Sequence, residues 1–244
     1  MAGDTQPDDV ASATNDATND ATNDATNDAT NDATNDATSG MTAHQRAFAD
    51  HLLTSGAVKF GAFRLKLHET QPDAPLSPIY VDLRVLRSYP DAMDAAVATL
   101  DELIVADGPA FDCYADIPMA ATPLVAVLSH ITRVPMITPR EPKTHGISGS
   151  INGAFNLGDT ALVIDDLVTH AESKLEAIHT LETNGLRVRD VAVLVDREQG
   201  AAAQLATAGY TLHAALRLSQ LLDYWHATGG IDDDAYARAL AYRV

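Results

Sequence analysis

Short apolar runs alternate with longer amphipathic stretches along most of this chain, but the first forty residues carry no such rhythm. There Asn-Asp-Ala-Thr recurs from Asn15 to Thr38 with nothing large or apolar to bury. Asn, Asp and Thr are poor helix interiors, so a four-residue period does not imply a helix. Residues 1–40 read as a disordered acidic tail, and the absence of a basic stretch followed by an apolar one argues against a signal peptide. Order is predicted to begin near Thr42, with a helix over Ala43 to Leu53 and strand-like residues from Gly56 to Leu67. A Pro-punctuated turn over Gln71 to Leu76 leads into a strand at Ser77 to Asp82. Ser88 and Pro90 open a helix to about Val105.

Beyond that point strands and helices alternate. Strands are predicted at Phe111 to Ile117 and Val134 to Thr138, separated by a helix over Ala121 to Ile131. Pro139 to Phe155 reads as a long polar loop, a length that in compact domains is commonly functional. The apolar run Ala161 to Ile164 predicts a buried strand that ends where Asp165 and Asp166 begin. An amphipathic helix follows from near Ser173, with Leu175, Ile178 and Leu181 at helical spacing and Gly185 as its terminator. A strand at Val191 to Val195, a helix near Ala202 to Ala208, a short strand at Tyr210 to His213 and helices from Ser219 and Asp232 complete the pattern. Such alternation implies right-handed crossovers and a largely parallel sheet with helices on both faces, an α/β fold.

Composition narrows the function classes. The formal net charge is −18, and nine Asp with no Lys or Arg fall in the first forty residues, so the remainder is acidic in its own right. Its lysines are Lys59, Lys66, Lys143 and Lys174. Dense carboxylates of this kind suit a high-salt cytoplasm, where screening makes the self-repulsion tolerable. A nucleic-acid binder would need a basic face, and no apolar run is long enough to cross a membrane. The single Cys113 excludes an intramolecular disulfide framework, points to a reducing compartment, and reads as a core residue. His170 and His213 lack metal-ligand spacing.

Two acids at the carboxyl end of a strand, then a short loop and a helix N-terminus, suggest a sugar-phosphate site. Ligands of open α/β sheets gather at strand carboxyl ends, and helix N-termini attract phosphate. Capping of the next element is the other reading of the acid pair. Arg197, in Asp196-Arg197-Glu198-Gln199-Gly200 after a buried strand, could equally pair with Asp196 or Glu198 as a structural bridge.

From Ala43 to Val244 these residues resemble the type I phosphoribosyltransferases, and within them the orotate phosphoribosyltransferases. KFGAFRLK…SPIYVDLR is similar to the family's N-terminal orotate-binding segment. Asp116-Ile117-Pro118 followed by Thr122-Pro123-Leu124 resembles its pyrophosphate loop, and Arg140 to Gly146 its mobile catalytic loop. Val163 to Thr169 resembles its ribose-phosphate fingerprint, and Asp196 to Gly200 is typical of its C-terminal half. The resemblance implies a type I phosphoribosyltransferase fold over residues 41–244, a mainly parallel central sheet flanked by helices with a small N-terminal hood. It implies transfer of phosphoribosyl from phosphoribosyl pyrophosphate (PRPP) to orotate, giving orotidine 5′-monophosphate and pyrophosphate in pyrimidine biosynthesis, with Mg²⁺ bound through PRPP. Asp165 and Asp166 would hold the ribose hydroxyls, and Thr169, His170, Ala171, Glu172 and Ser173 would cradle the 5′-phosphate. Arg140, Lys143 and His145 would close over the pyrophosphate. Arg197 would pair with the orotate carboxylate, with Lys66, Tyr80 and Thr169 lining the base pocket. A cytoplasmic homodimer is implied by the family.

Departures from the family pattern fall at the PRPP side. Ala171 stands where glycine would let the backbone wrap a phosphate, and Glu172 places a like charge beside a dianion. Pro139 replaces an arginine, and Ala120 stands where relatives carry Lys or Thr. A second reading therefore stays open, in which the fold serves as a nucleotide-binding sensor or regulator with impaired catalysis.

Overall fold

The computed structural model describes residues 40–140 and 150–242, and leaves out the side chains of Lys66 and Leu67 within that span. The acidic repeat lies outside it. Helix α1 (Ala43–Thr54) starts on a capping box: Thr42 Oγ1 accepts the Gln45 N–H at 3.2 Å and Gln45 Oε1 accepts the Thr42 N–H at 2.8 Å. Strands β1 (Val58–Phe63) and β2 (Ser77–Val81) form an antiparallel pair, Lys59 opposite Tyr80. The strand predicted to reach Leu67 stops at Phe63, and Lys66–Glu69 forms a 3₁₀ turn. His68 holds that turn by a bond from the Leu65 N–H to its Nδ1 at 2.9 Å.

The rest is a six-stranded sheet with helices on both faces. In chain order it comprises α2 (Pro90–Asp107), β3 (Cys113–Asp116), α3 (Thr122–Thr132), β4 (Met136–Pro139), β5 (Ile151–Asn152), β6 (Thr160–Val168), α4 (Glu172–Thr183), β7 (Arg187–Asp196), α5 (Ala201–Thr207), β8 (Thr211–Arg217), α6 (Leu218–Ala227) and α7 (Asp233–Ala241). The strand order is β5-β4-β3-β6-β7-β8, parallel throughout except for β5. This is the expected α/β architecture.

Burial explains the layering. Along β6, Leu162 and Ile164 enter one apolar cluster while Ala161 and Val163 enter the other; along β7, Ala192 and Leu194 oppose Val191 and Val193 in the same way. A strand buried on both sides reads as a continuous apolar run, which is why these two were legible. The hood is fastened to the first cluster by Trp225, fully buried, whose Nε1–H donates to Ala49 O at 2.9 Å and whose ring meets Phe60 edge-on at 6.1 Å.

Three boundaries differ from expectation. β6 does not end at Asp165 but runs to Val168, because β7 pairs with it as far as Val168 opposite Asp196. β7 begins at Arg187, through the mixed stretch Arg187 to Asp190, and β8 extends to Arg217, through Ala214, Ala215 and Leu216. The loop after β4 contains the edge strand β5, antiparallel to β4. Gly153 follows it at φ +103°, where a Cβ would lie 2.9 Å from Ile137 Cγ2.

Candidate active site

The carboxyl ends of β3, β6 and β7 converge, and the loops leaving them carry the polar side chains. After β3, the fully buried Asp116 accepts hydrogen bonds from the hydroxyls of Thr122 and Thr138, the latter at 2.5 Å. Those bonds tie the start of α3 and the end of β4 to the Ile117–Ala120 turn. Arg140 leaves β4 with its amide bonded to Ser150 O at 2.8 Å. Its guanidinium Nε and Nη1 are buried and have no hydrogen-bond partner among the described residues. They border a cavity of about 490 Å³ whose lining includes Ile117, Pro118, Ser150 and Ser173. The structure thus brings Arg140, the turn after β3 and the start of α4 to one place.

At β6, Asp165 and Asp166 occupy successive positions inside the strand. Asp165 is buried and pairs with Lys174 Nζ at 2.5 Å. Asp166 is half-buried and accepts the Leu167 N–H at 2.8 Å. Burial, then the charge and hydrogen bond of Asp165, push the Asp166 carboxyl up to about 7, against the opposing pull of the Leu167 amide and Lys174. The loop that follows is short. Thr169 is half-buried, His170, Glu172 and Ser173 are exposed, and Ala171 is buried. Ala171 sits at φ −86°, ψ −5°, a conformation open to any residue, so the missing glycine costs the backbone nothing here. Its N–H donates to Gln204 Oε1 at 2.8 Å. Glu172 is the first residue of α4, directed to solvent, where a carboxylate favours the helix dipole.

After β7, the Arg197 amide bonds to Val168 O at 2.9 Å, which sets this residue beside the end of the acidic strand. The two bridging alternatives are not what the structure contains. Glu198 accepts the Ser219 N–H at 2.9 Å at the start of α6, and Asp196 accepts the Glu198 N–H at 2.8 Å. Arg197 Nε is buried with no hydrogen-bond partner among the described residues, and burial holds the guanidinium below its usual range. Arg197, Gln199, Ser219, Leu222 and Tyr242 line a cavity of about 460 Å³.

The hood reaches the same region. Tyr80 on β2 packs its ring 5.6 Å from Phe63. Arg84, bidentate to Asp82 at 2.7 and 2.9 Å, is close enough for its charge to sense both Tyr80 and Asp166. Arg87 Nη2 donates to Met119 O at 3.1 Å and so joins the hood to the turn after β3. Lys66 lies in the 3₁₀ turn, its side chain outside the described residues, as are Lys143 and His145 entirely.

Sequence reasoning missed Lys174, Gln204 and Arg84. Lys174 had one signal, its place among so few lysines. Arg84 lies in the SPIYVDLR segment but was given no role of its own, and Gln204 had no signal, since its partner lies 33 residues away across the fold.

No family model matches the chain. An orotate phosphoribosyltransferase from Caenorhabditis elegans is 34% identical over 177 residues, covering 72% of this chain and 75% of that protein. One from Thermococcus gammatolerans is 32% identical over 186 residues, covering 76% of this chain and 95% of that protein. Among solved structures, the Leishmania donovani UMP synthase superposes with a TM-score of 0.71 at 37% identity, over 80% of this chain. The chain spans 41% of that longer protein.

Proposed function

The chain belongs to the orotate phosphoribosyltransferase family, and on that premise we propose that it transfers the phosphoribosyl group of PRPP to orotate. The products are orotidine 5′-monophosphate and pyrophosphate, a step of pyrimidine biosynthesis. The observation that carries this reading is Arg197. A buried guanidinium Nε without a partner among the described residues is costly, and a ligand carboxylate entering the adjacent cavity would supply the missing partner through a charge-assisted pair. Orotate has such a carboxylate, and Tyr80 with Lys66 and Thr169 would flank its ring.

The same reading assigns the remaining residues. Asp166 meets a ribose hydroxyl. The amides and hydroxyls from Thr169 to Ser173 take the 5′-phosphate at the start of α4, where donors and dipole favour an anion. As the bond from the sugar to pyrophosphate breaks, positive charge develops on the sugar and negative charge on the leaving group. Arg140 lies where it can stabilise that leaving group, with Lys143 and His145 as its partners in the role. A metal would be carried in on PRPP, whose phosphate oxygens are ligands Mg²⁺ prefers. Bound there, Mg²⁺ would neutralise charge on the pyrophosphate.

Two features favour the enzyme over a non-catalytic sensor. Glu172 is exposed as the first residue of α4, where its charge is open to solvent and to the helix dipole, and Ala171 adopts an unstrained conformation. The acidic composition supports a salt-rich cytoplasm, and family membership supports a homodimer.

The test is an absorbance assay in multimolar KCl with Mg²⁺. Wild-type protein should deplete orotate only when PRPP is present. Arg197→Met should raise the orotate KM roughly tenfold or more while leaving the PRPP KM near its original value. Absence of both turnover and calorimetric PRPP binding in the wild type would contradict the reading.

A further inference from the structure

The two acids of β6 have unlike surroundings. Asp165 is buried with its carboxyl on Lys174 of α4, while Asp166 is half-buried, within hydrogen-bond reach of Asp165 and within range of the charge of Arg84 in the hood. Under α4, Lys174 reaches back from the first turn of the helix. Its Nζ lies 2.5 Å from Asp165 Oδ2, 2.8 Å from Leu167 O and 3.4 Å from Ser173 Oγ. Both side chains of the pair are buried, Lys174 at 6% exposure and Asp165 at 7%.

This is an expensive place for a lysine. The ammonium loses its water and sits at the positive end of a helix dipole. Burying an ion pair rarely gains stability over an apolar pair of the same shape. An acidic chain with so few lysines nevertheless keeps one here, within the loop assigned to the 5′-phosphate. The arrangement has two chemical effects. It gives the buried Asp165 carboxylate a counter-ion. It also puts a fixed positive charge under a loop on which Glu172 is negative.

We infer that Lys174 is a positioning residue of the PRPP site: it holds Asp165 as an internal counter-ion, leaves Asp166 as the acid that meets ribose, and biases the Thr169–Ser173 loop toward a phosphate. This inference rests on the PRPP reading above. It divides unlike roles between two neighbouring carboxylates that the sequence presents as a matched pair. It also explains how the loop can accept a dianion with Glu172 at its edge.

Steady-state kinetics and calorimetry on the full chain test it, with three proteins compared. Lys174→Met leaves Asp165 uncompensated and should raise the PRPP KM and Kd roughly tenfold, with the orotate KM moved less than about threefold. Adding Asp165→Asn removes the stranded charge, and the double variant should recover most of the lost PRPP affinity while melting close to the wild type. Equal PRPP affinity in wild type and Lys174→Met overturns the inference alone. So does a double variant weaker than the single one, because Asp165 would then be touching the sugar itself. A wild type that binds no PRPP overturns the inference together with the function on which it rests.

Discussion

Asp166 concentrates the conflict between stability and function at the scale of a single residue. Its carboxyl is raised to about 7, first by burial and then by Asp165, so the folded protein holds a proton that the unfolded chain releases near pH 4. Linkage fixes the sign: the stability associated with this proton is complete below about pH 4 and is lost as pH rises through about 7. Asp166→Asn should therefore be more stable than wild type at pH 8, by on the order of 2 kcal/mol, with the difference vanishing toward pH 4. The same variant should bind PRPP far more weakly. Denaturant melts at both pH values with one calorimetric titration check this, and a variant less stable at pH 8 would contradict it. The acid pair itself was legible in the sequence, because two carboxylates directly after an apolar run have few structural uses. Their unlike surroundings were not. That division depends on Lys174 reaching back from α4 to Asp165, a pairing that leaves no trace in the local pattern.

At the scale of elements, the strands with continuous apolar runs and the helices with clear amphipathic spacing were readable, and the side-chain bridges between elements were not. β8 illustrates the gap. Its residue His213 bridges three elements, with Nδ1 2.6 Å from Asp107 at the end of α2 and Nε2 2.9 Å from Asp190 on β7. Both ring nitrogens face carboxylates, so both must donate, which only the protonated ring can do. Burial alone would lower the pKa, but the hydrogen bonds to Asp190 and Asp107 outweigh it and raise the value. A raised His pKa stabilises fully below about pH 6.5, and that contribution is lost as pH climbs through the folded value. His213→Gln should flatten this part of the stability profile, with a change on the order of 1 kcal/mol between pH 6 and pH 9. Thermal melts across that range measure it, and a profile as steep as that of wild type would show the bridge to be unimportant. The sequence marked His213 as an ordinary histidine because its partners come from 23 and 106 residues away.

At the scale of the molecule, the parts of the site that were readable are those borne by short contiguous motifs. Asp116 to Pro118, Asp165 to Ser173 and Asp196 to Gly200 each announce a turn after a buried strand, and the parallel sheet gathers those turns at one edge. What stayed hidden were the supports from elsewhere: Lys174 under the acid pair, Gln204 on the Ala171 amide and Arg84 facing Asp166. Glu172 is a different case: its place as the first residue of α4, exposed at the helix start, was not legible from sequence position alone. The central claim is that this fold carries out a group transfer, beyond holding a nucleotide. Phosphorus NMR of the full chain with PRPP, orotate and Mg²⁺ in concentrated KCl tests that claim most directly. The account predicts that the PRPP signals give way to pyrophosphate and a new phosphomonoester in equal amounts, and only when orotate is present. PRPP signals that stay unchanged beside intact orotate would contradict it.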